Sequence, residues 1–505
     1  MKTPLIVRLW DKEIGRLCWD QKRRNSYFTF HPDFLQEGLD IAPLSASITS
    51  PLSRYPIYGE DDPKFQKLPS FLADSLPDAW GNLLFEQWCA DQKLPLSHIT
   101  PLEKLSFIGR RAMGALEFEP EIGNSPIADN IDIRSLASLA HKIFTQRAEV
   151  RILPEESITM QALMMVGTSA GGRQAKAIIA MHPETGEIRS GQQHDLIGFR
   201  YYLLKFGDSQ WPSAEIEQTY YQMAKLAGIN MMPSTLMEVE GVRHFLTERF
   251  DRSNDEEGHC LKHFTQSLAA LYPKTDSYER LLWVCRKLQL PEPEMKEVFR
   301  RLVFNWLANN TDDHNKNFSF IMNKDGRWHL SPAYDMTFIF NHGANQPNRE
   351  HCLSLRGKLV DVTMEDVLSF ARDNGIARPK VIIQEIYDAL KGFRSLAEDN
   401  HVPAAFIGII ETAITDNAIR WSLRESVHEN LEILNPDTGQ SLSNVRIEST
   451  YKGNYHLLAN YGTRELKYII RKGTEDHLRI SLLGISGISA EMLKELAKKY
   501  LEPKI

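Results

Sequence analysis

Cysteine is scarce in this chain and forms no pairing pattern: Cys18, Cys89, Cys260, Cys285 and Cys352 are five residues among 505, an odd number without a CxxC spacing. Neither a disulfide framework nor a cysteine zinc site is expected, and the five read as core or incidental thiols. Long apolar runs are missing too. The longest, such as AAFIGII and AKAIIAM, fall far below the roughly 20 residues of a transmembrane helix. The start, MKTPLIVRLWDKEIG, lacks a signal peptide's apolar segment, so a cytoplasmic protein without membrane contact is expected. Positive charge is not in excess, because 59 lysines and arginines face 66 acids for a net −7. That balance argues against a chain that coats nucleic acid by itself. No HxH or HExxH spacing accompanies His314, which reads as a polar loop residue rather than a metal ligand. What is present is an ordinary soluble composition, 42% hydrophobic and 25% charged, long enough for roughly two to four domains.

Periodicity and breakers divide the chain. Residues 3 to 50 read as short strands (LIVRLW, GRLCWD, YFTFH), and Leu68 to Gln92 as helix broken at Pro77. The turn-forming segment Glu121 to Asn130 marks a boundary, which makes residues 1–122 a β-rich module. Over 131–250, apolar strands (AKAIIAM, RYYLLKF, PSTLMEVE, RHFLTERF) accompany one clear helix, Ser213 to Ala227; over 251–427, amphipathic helical patterns dominate. The tail, 431–505, returns to strands (VRIEST, YHLLAN, LKYIIRK, LRISLL) before a helix from Ser489 to Tyr500. The whole reads as α+β, with a strand-rich lobe ahead of a helix-rich one.

The run Asn309 to Phe320, NNTDDHNKNFSF, carries Asp312, Lys316 and Asn317, and Asp335 follows in LSPAYDMTF past a short apolar hairpin. An aspartate with an asparagine five residues on and a later aspartate is the order in which protein kinases present a catalytic carboxylate and two magnesium ligands. The chemistry asks for these types: one carboxylate takes the attacking hydroxyl's proton, and an amide oxygen and a second carboxylate offer hard ligands to magnesium. Upstream, Gly167 to Lys176 (GTSAGGRQAK) places Gly171 and Gly172 before a strand, where backbone can approach phosphates. It matches neither Walker A, since Arg173 follows Gly172, nor GxGxxG, and alone it reads as a turn. Lys205 closes the apolar strand RYYLLKF, Glu217 lies on the helix after it, and Thr247 to Phe250 fall where a hinge would, with Asp251 placed to reach ribose hydroxyls. Each has an ordinary alternative, a strand-end lysine, a surface glutamate, or turn and cap residues, but chance seldom supplies all of them in kinase order.

GTSAGGRQAK, FLTERFDR, NTDDHNKNFSF and LSPAYD together resemble the HipA family of bacterial serine/threonine kinases, the toxins of persistence-linked toxin–antitoxin pairs. VRLWDKEIGRL, LPSFLADSLPDAWGNLL and MGALEF resemble that family's β-rich N-terminal subdomain. The resemblance runs from residue 1 to about 425. It implies a protein-kinase-like two-lobe fold with an all-helical C-lobe, transfer from ATP with magnesium, and autophosphorylation of a glycine-loop serine, by position Ser169 with Thr168 beside it. On the motif match Asp312 is the base with Lys316 beside it in the catalytic loop, Asn317 and Asp335 hold magnesium, Lys205 binds phosphate, and Glu248, Phe250 and Asp251 contact adenine and ribose. The family's partner is a HipB-type helix-turn-helix antitoxin that holds operator DNA, so DNA contact is indirect. Its protein targets include aminoacyl-tRNA synthetases.

Asp313 adds a charge directly after the base and is expected to alter magnesium or substrate geometry. The tail beyond about 430 lies outside the resemblance and reads as a small α+β extension. Two other readings stay open: a small-molecule phosphotransferase, and a pseudokinase scaffold for a DNA-bound antitoxin in which Asp313 or the tail blocks turnover.

Overall fold

The computed structural model describes residues 4–122, 131–146, 156–167, 174–193, 195–208, 211–341, 346–423 and strand segments between 433 and 481. Alternation of apolar and polar residues sets the first sheet. Along β1 (Leu5–Leu9), Leu5, Val7 and Leu9 are buried while Ile6 and Arg8 are partly exposed, which is one face of a strand turned to the core. Between β1 and β2 (Lys12–Asp20), Trp10 and Asp11 take φ of +49° and +66°, the left-handed pair of a two-residue hairpin turn. With β3 (Asn25–Phe30), β4 (Ile57–Tyr58) and β5 (Leu116–Glu119) the sheet order is β4-β3-β2-β1-β5. Helices α1 (Ser70–Ala73) and α2 (Ala79–Asp91) flank the break expected at Pro77, and α3 (Pro101–Ile108) starts on a capping box of Thr100 and Glu103.

Helices α4 (Ile133–Gln146) and α5 (Ser157–Gly167) lead to a second antiparallel sheet. It consists of β6 (Lys176–Met181), β7 (Ile188–Ser190), β8 (Arg200–Lys205), β9 (Ser234–Val239) and β10 (Val242–Glu248) in the order β7-β6-β8-β10-β9. Helix α6 (Ser213–Leu226) connects β8 to β9 and buries Ile216, Tyr220, Met223 and Ala224 along one stripe. Trp80 and Leu84 of α2 share a core with Leu136, Leu163, Ala177, Ile179, Leu204 and Leu246. The β-rich module thus packs directly on the second sheet, and Met1–Glu411 is one compact unit.

The lobe that follows is not all helical, contrary to expectation. A ribbon of β11 (Arg252–Asn254) and β12 (Cys260–Lys262) precedes a three-stranded sheet of β13 (Phe264–Ser267), β14 (Ser319–Met322) and β15 (Trp328–Leu330). These strands are three or four residues long, too short to stand out beside helical periodicity, yet Phe264, Phe320 and Met322 are fully buried. The helices are α7 (Leu268–Leu271), α8 (Tyr278–Lys287), α9 (Glu292–Leu307), α10 (Met364–Asp373), α11 (Pro379–Leu390), α12 (Phe393–Asp399) and α13 (Ala404–Arg420). The loop between α9 and β14 carries the candidate catalytic residues, so the buried strand β14 fixes its far end.

In the second unit, Thr412–Ile505, β16 (Ile433–Leu434), β17 (Ser441–Ser449), β18 (Tyr455–Tyr461), β19 (Arg464–Lys472) and β20 (Leu478–Ser481) pair in sequence order as an antiparallel meander. These are the tail strands expected; the helix expected over 489–500 lies outside the described residues. Among the described residues no helix is long and apolar enough to cross a membrane.

Candidate active site

Lys205 ends β8 and pairs across the sheet with Lys176 on one side and Phe245 on the other. A lysine in that central position is buried, with a 6% exposed side chain, and needs acids. Its Nζ donates to Glu217 Oε1 on α6 and to Asp335 Oδ1 beyond the β14–β15 hairpin. Burial opposes its charge, but Asp335 and Glu217 prevail and hold it protonated well above the ordinary lysine value. Burial likewise disfavours charge on Asp335, and Lys205 and Lys176 overcome it, keeping that carboxylate ionised. Glu217, fully enclosed, is pushed up by burial against the pull of Lys205. Asp335 differs from its partners in two ways: its side chain is 33% exposed, and its φ is +55°, a left-handed conformation that costs a non-glycine residue energy and recurs at functional sites. The structure therefore joins Lys205, Glu217 and Asp335, three residues spread over 131 positions of sequence.

Asp312 lies on the facing loop, its side chain about half exposed at 47%. Burial raises its carboxyl above the ordinary value; His314 works against that rise, and Asp335 and Asp313 add to it. Asn317 closes the loop, its Nδ2 donating to the Asp312 carbonyl at 2.8 Å and its backbone N–H to the His314 carbonyl at 2.9 Å. With the amide nitrogen committed, the side-chain oxygen is the atom Asn317 offers to a ligand. Lys316 turns to the N-terminal module, where its Nζ lies 2.6 Å from Asp78 Oδ1.

Asp313, next to the candidate base, is placed by the lobe behind it. Its side chain is fully buried, pointing away from Asp312 into the lobe. There Oδ2 accepts from Tyr278 OH at 2.6 Å and contacts His351 Nδ1 at 2.9 Å, while Oδ1 accepts from the backbone N–H of Cys352 at 2.8 Å. The carboxylate is hydrogen-bonded on both oxygens and anchors the loop from behind, while its charge adds to the rise of the Asp312 carboxyl.

Asp251 corrects the expectation attached to it. Its side chain is 3% exposed and accepts from Arg249 Nε and Nη2 at 2.8 and 2.6 Å, Arg252 Nη1 at 2.9 Å and the backbone N–H of Gly114 at 2.7 Å. The arginines hold it ionised, far below the ordinary carboxylate range and against burial. It is a joint between the N-terminal module and the end of β10, not a ribose contact. Of its neighbours, Phe250 tilts against Tyr334 with ring centroids 5.6 Å apart, and the partly exposed Glu248 side chain reaches Arg200 at 3.7 Å.

Ser169, with Thr168, Gly171 and Gly172, falls outside the described residues. On one flank, α5 ends at Gly167, where an added Cβ would stand 2.6 Å from Leu84 Cδ1, so close packing of α5 on α2 requires glycine there. On the other flank stands Lys176, which sequence reasoning missed. It is buried opposite Lys205, and burial pulls its amine below the ordinary lysine value, against the pull of Asp335. Its signal was a lysine opening an otherwise apolar strand.

A buried lysine tied to a helix glutamate and to a loop acid, with an aspartate and an asparagine opposite, defines a kinase-like cleft. The chain belongs to the HipA family: the HipA N-terminal domain matches residues 5–119 and the HipA-like C-terminal domain residues 168–393. A "putative kinase" of Haemophilus influenzae is 24% identical over 201 residues, 37% of this chain and 57% of that protein. "Putative kinase Y4mE" of Sinorhizobium fredii is 24% identical over 396 residues, 74% of this chain and 86% of that protein. Among solved structures, the Shewanella oneidensis MR-1 toxin–antitoxin complex of HipA, HipB and operator DNA contains a chain similar to this one. It matches with a TM-score of 0.59 and 17% identity, over 85% of this chain and 100% of that chain, a likeness of fold.

Proposed function

We propose that this chain is an ATP- and magnesium-dependent serine/threonine protein kinase of HipA type. The observation that carries the reading is Lys205, held between Glu217 and the partly exposed Asp335 and facing the loop of Asp312 and Asn317. An ammonium shared by two carboxylates suits phosphate oxygens, which replace Asp335 on Lys205 when nucleotide enters. Asn317 and Asp335 supply hard oxygen donors that fit magnesium, and the ion, when bound, neutralises charge on the phosphates. Asp312 takes the proton of the acceptor hydroxyl as the new oxygen–phosphorus bond forms and the bond to the ADP oxygen breaks. A raised pKa suits that task, since it makes the carboxylate a stronger base.

Family membership extends the reading. We take Ser169 as the autophosphorylation site: a phosphate there adds about two negative charges where ATP's phosphates must sit, which shuts the enzyme down. By resemblance to the family we further propose a cytoplasmic toxin, a HipB-like antitoxin that mediates DNA contact, and a protein substrate such as an aminoacyl-tRNA synthetase. The test is the intact mass of the protein after incubation with Mg-ATP beside Asp312→Ala, with peptide mapping of residues 167–176. One phosphate on Ser169 in the wild type alone is the expected result. Bound ATP with no phosphate on either protein refutes self-modification and turns the search to metabolites.

A further inference from the structure

One short stretch of the N-terminal module touches both walls of the cleft. Ser70 Oγ donates to the Ala270 carbonyl at 2.7 Å, and Gln266 Nε2 donates to the Phe71 carbonyl at 2.8 Å. Asp74 accepts from the backbone N–H and hydroxyl of Ser267, both at 2.7 Å. Asp78 then reaches Lys316 at 2.6 Å, in the loop of Asp312 and Asn317. Two residues later Trp80 turns to the opposite wall, its Nε1 donating to the carbonyl of Lys176 at 2.9 Å, where β6 leaves the glycine-rich segment.

Asp78 is placed for this contact by the helix it precedes. It holds the N-cap position of α2, and its carbonyl accepts from Asn82 N–H at 2.7 Å, yet its side chain makes no capping bond to the helix. An N-cap aspartate ordinarily spends its carboxylate on the helix's own N–H groups; this one is directed at a lysine 238 positions away. Lys316 is held at its backbone too, where its carbonyl accepts from Tyr334 OH at 2.7 Å, next to Asp335. A partly exposed ion pair contributes little to stability, so its consequence is placement.

We propose that Asp78 is a positioning residue for phosphoryl transfer: it anchors Lys316, and with it the loop bearing Asp312 and Asn317, so that the N-terminal module sets where the base stands. This rests on the kinase reading, and the experiment separates the two. Asp78→Asn and Asp78→Glu are compared with wild type in the full chain for phosphotransfer kinetics, ATP binding and hydrogen exchange of the 309–320 peptide. Asp78→Asn should lower kcat by roughly 10- to 100-fold, the loss expected from misplacing a reacting group by ~1 Å, with the KM for ATP little changed. The 309–320 peptide should exchange faster while α8 does not, and Asp78→Glu should restore most of the rate. Wild-type kcat in Asp78→Asn, or wild-type exchange in the loop, overturns the proposal. If the wild type transfers no phosphate, the kinase reading fails and the exchange comparison alone decides the anchoring. If Asp78→Asn does not fold, Asp78→Ser, which keeps a cap-forming side chain, takes its place.

Discussion

The Arg249–Asp251–Arg252 cluster and the Lys205–Glu217–Asp335 cluster are built from the same materials and have opposite fates. In the first, two arginines and the N–H of Gly114 surround one carboxylate, and no acceptor is left over. In the second, the ammonium of Lys205 is divided between two carboxylates with the buried Lys176 beside them, and one of the acids is 33% exposed. A fully buried cluster joins elements; one whose acid is partly exposed offers an atom that a cation can reach. The distinction between structural and functional charge lies in access from solvent, not in residue type.

The comparison is best broken at its buried end. Asp251→Ala leaves Arg249 and Arg252 buried without their acid and should cost about 3–5 kcal/mol of stability, read from urea unfolding. Asp335→Ala, which leaves Lys205 its bond to Glu217, should cost less than Asp251→Ala in the same assay while abolishing phosphotransfer. The loop offers a finer version of the contrast in two adjacent aspartates. Asp313→Ala strands the hydroxyl of Tyr278 and the N–H of Cys352, a loss of about 1–3 kcal/mol, whereas Asp312→Ala should unfold at the wild-type urea concentration and lose about 10²- to 10⁴-fold in rate. The smallest effect concerns pH. Asp312 acts as a base only when ionised, and burial raises its pKa, so the rate should fall with acidification at a pH above the ordinary carboxylate value of about 4. His314 opposes that rise, so His314→Gln should move the midpoint of the pH–rate profile upward; a downward shift would refute the assignment.

Lys205, Glu217, Asp335 and Asn317 were legible because kinase order is written along the chain and a lysine ending an apolar strand must find acids. Asp251 was misread because an aspartate after a strand looks the same whether it faces a ligand or two arginines, and one of its partners, Gly114, is 137 positions away. The anchoring role of Asp313 was hidden for the same reason, since its companions lie 35 to 40 positions off on either side. The strands β13 to β15 escaped notice because segments this short carry less periodicity than the helices around them. Asp74 and Asp78 gave no chemical signal at all, sitting in a stretch that reads as ordinary helix and turn.

The order in which the chain is made gives the brace from Ser70 to Trp80 a further meaning. Its module leaves the ribosome before the lobe it braces, since Ala270 and Lys316 are 200 and 238 positions downstream of Ser70 and Asp78. At roughly 5–20 residues per second, the first half of the brace waits on the order of 10 to 50 s for its counterpart. A polypeptide abandoned during that interval has no assembled cleft, so interrupted translation yields no half-active product.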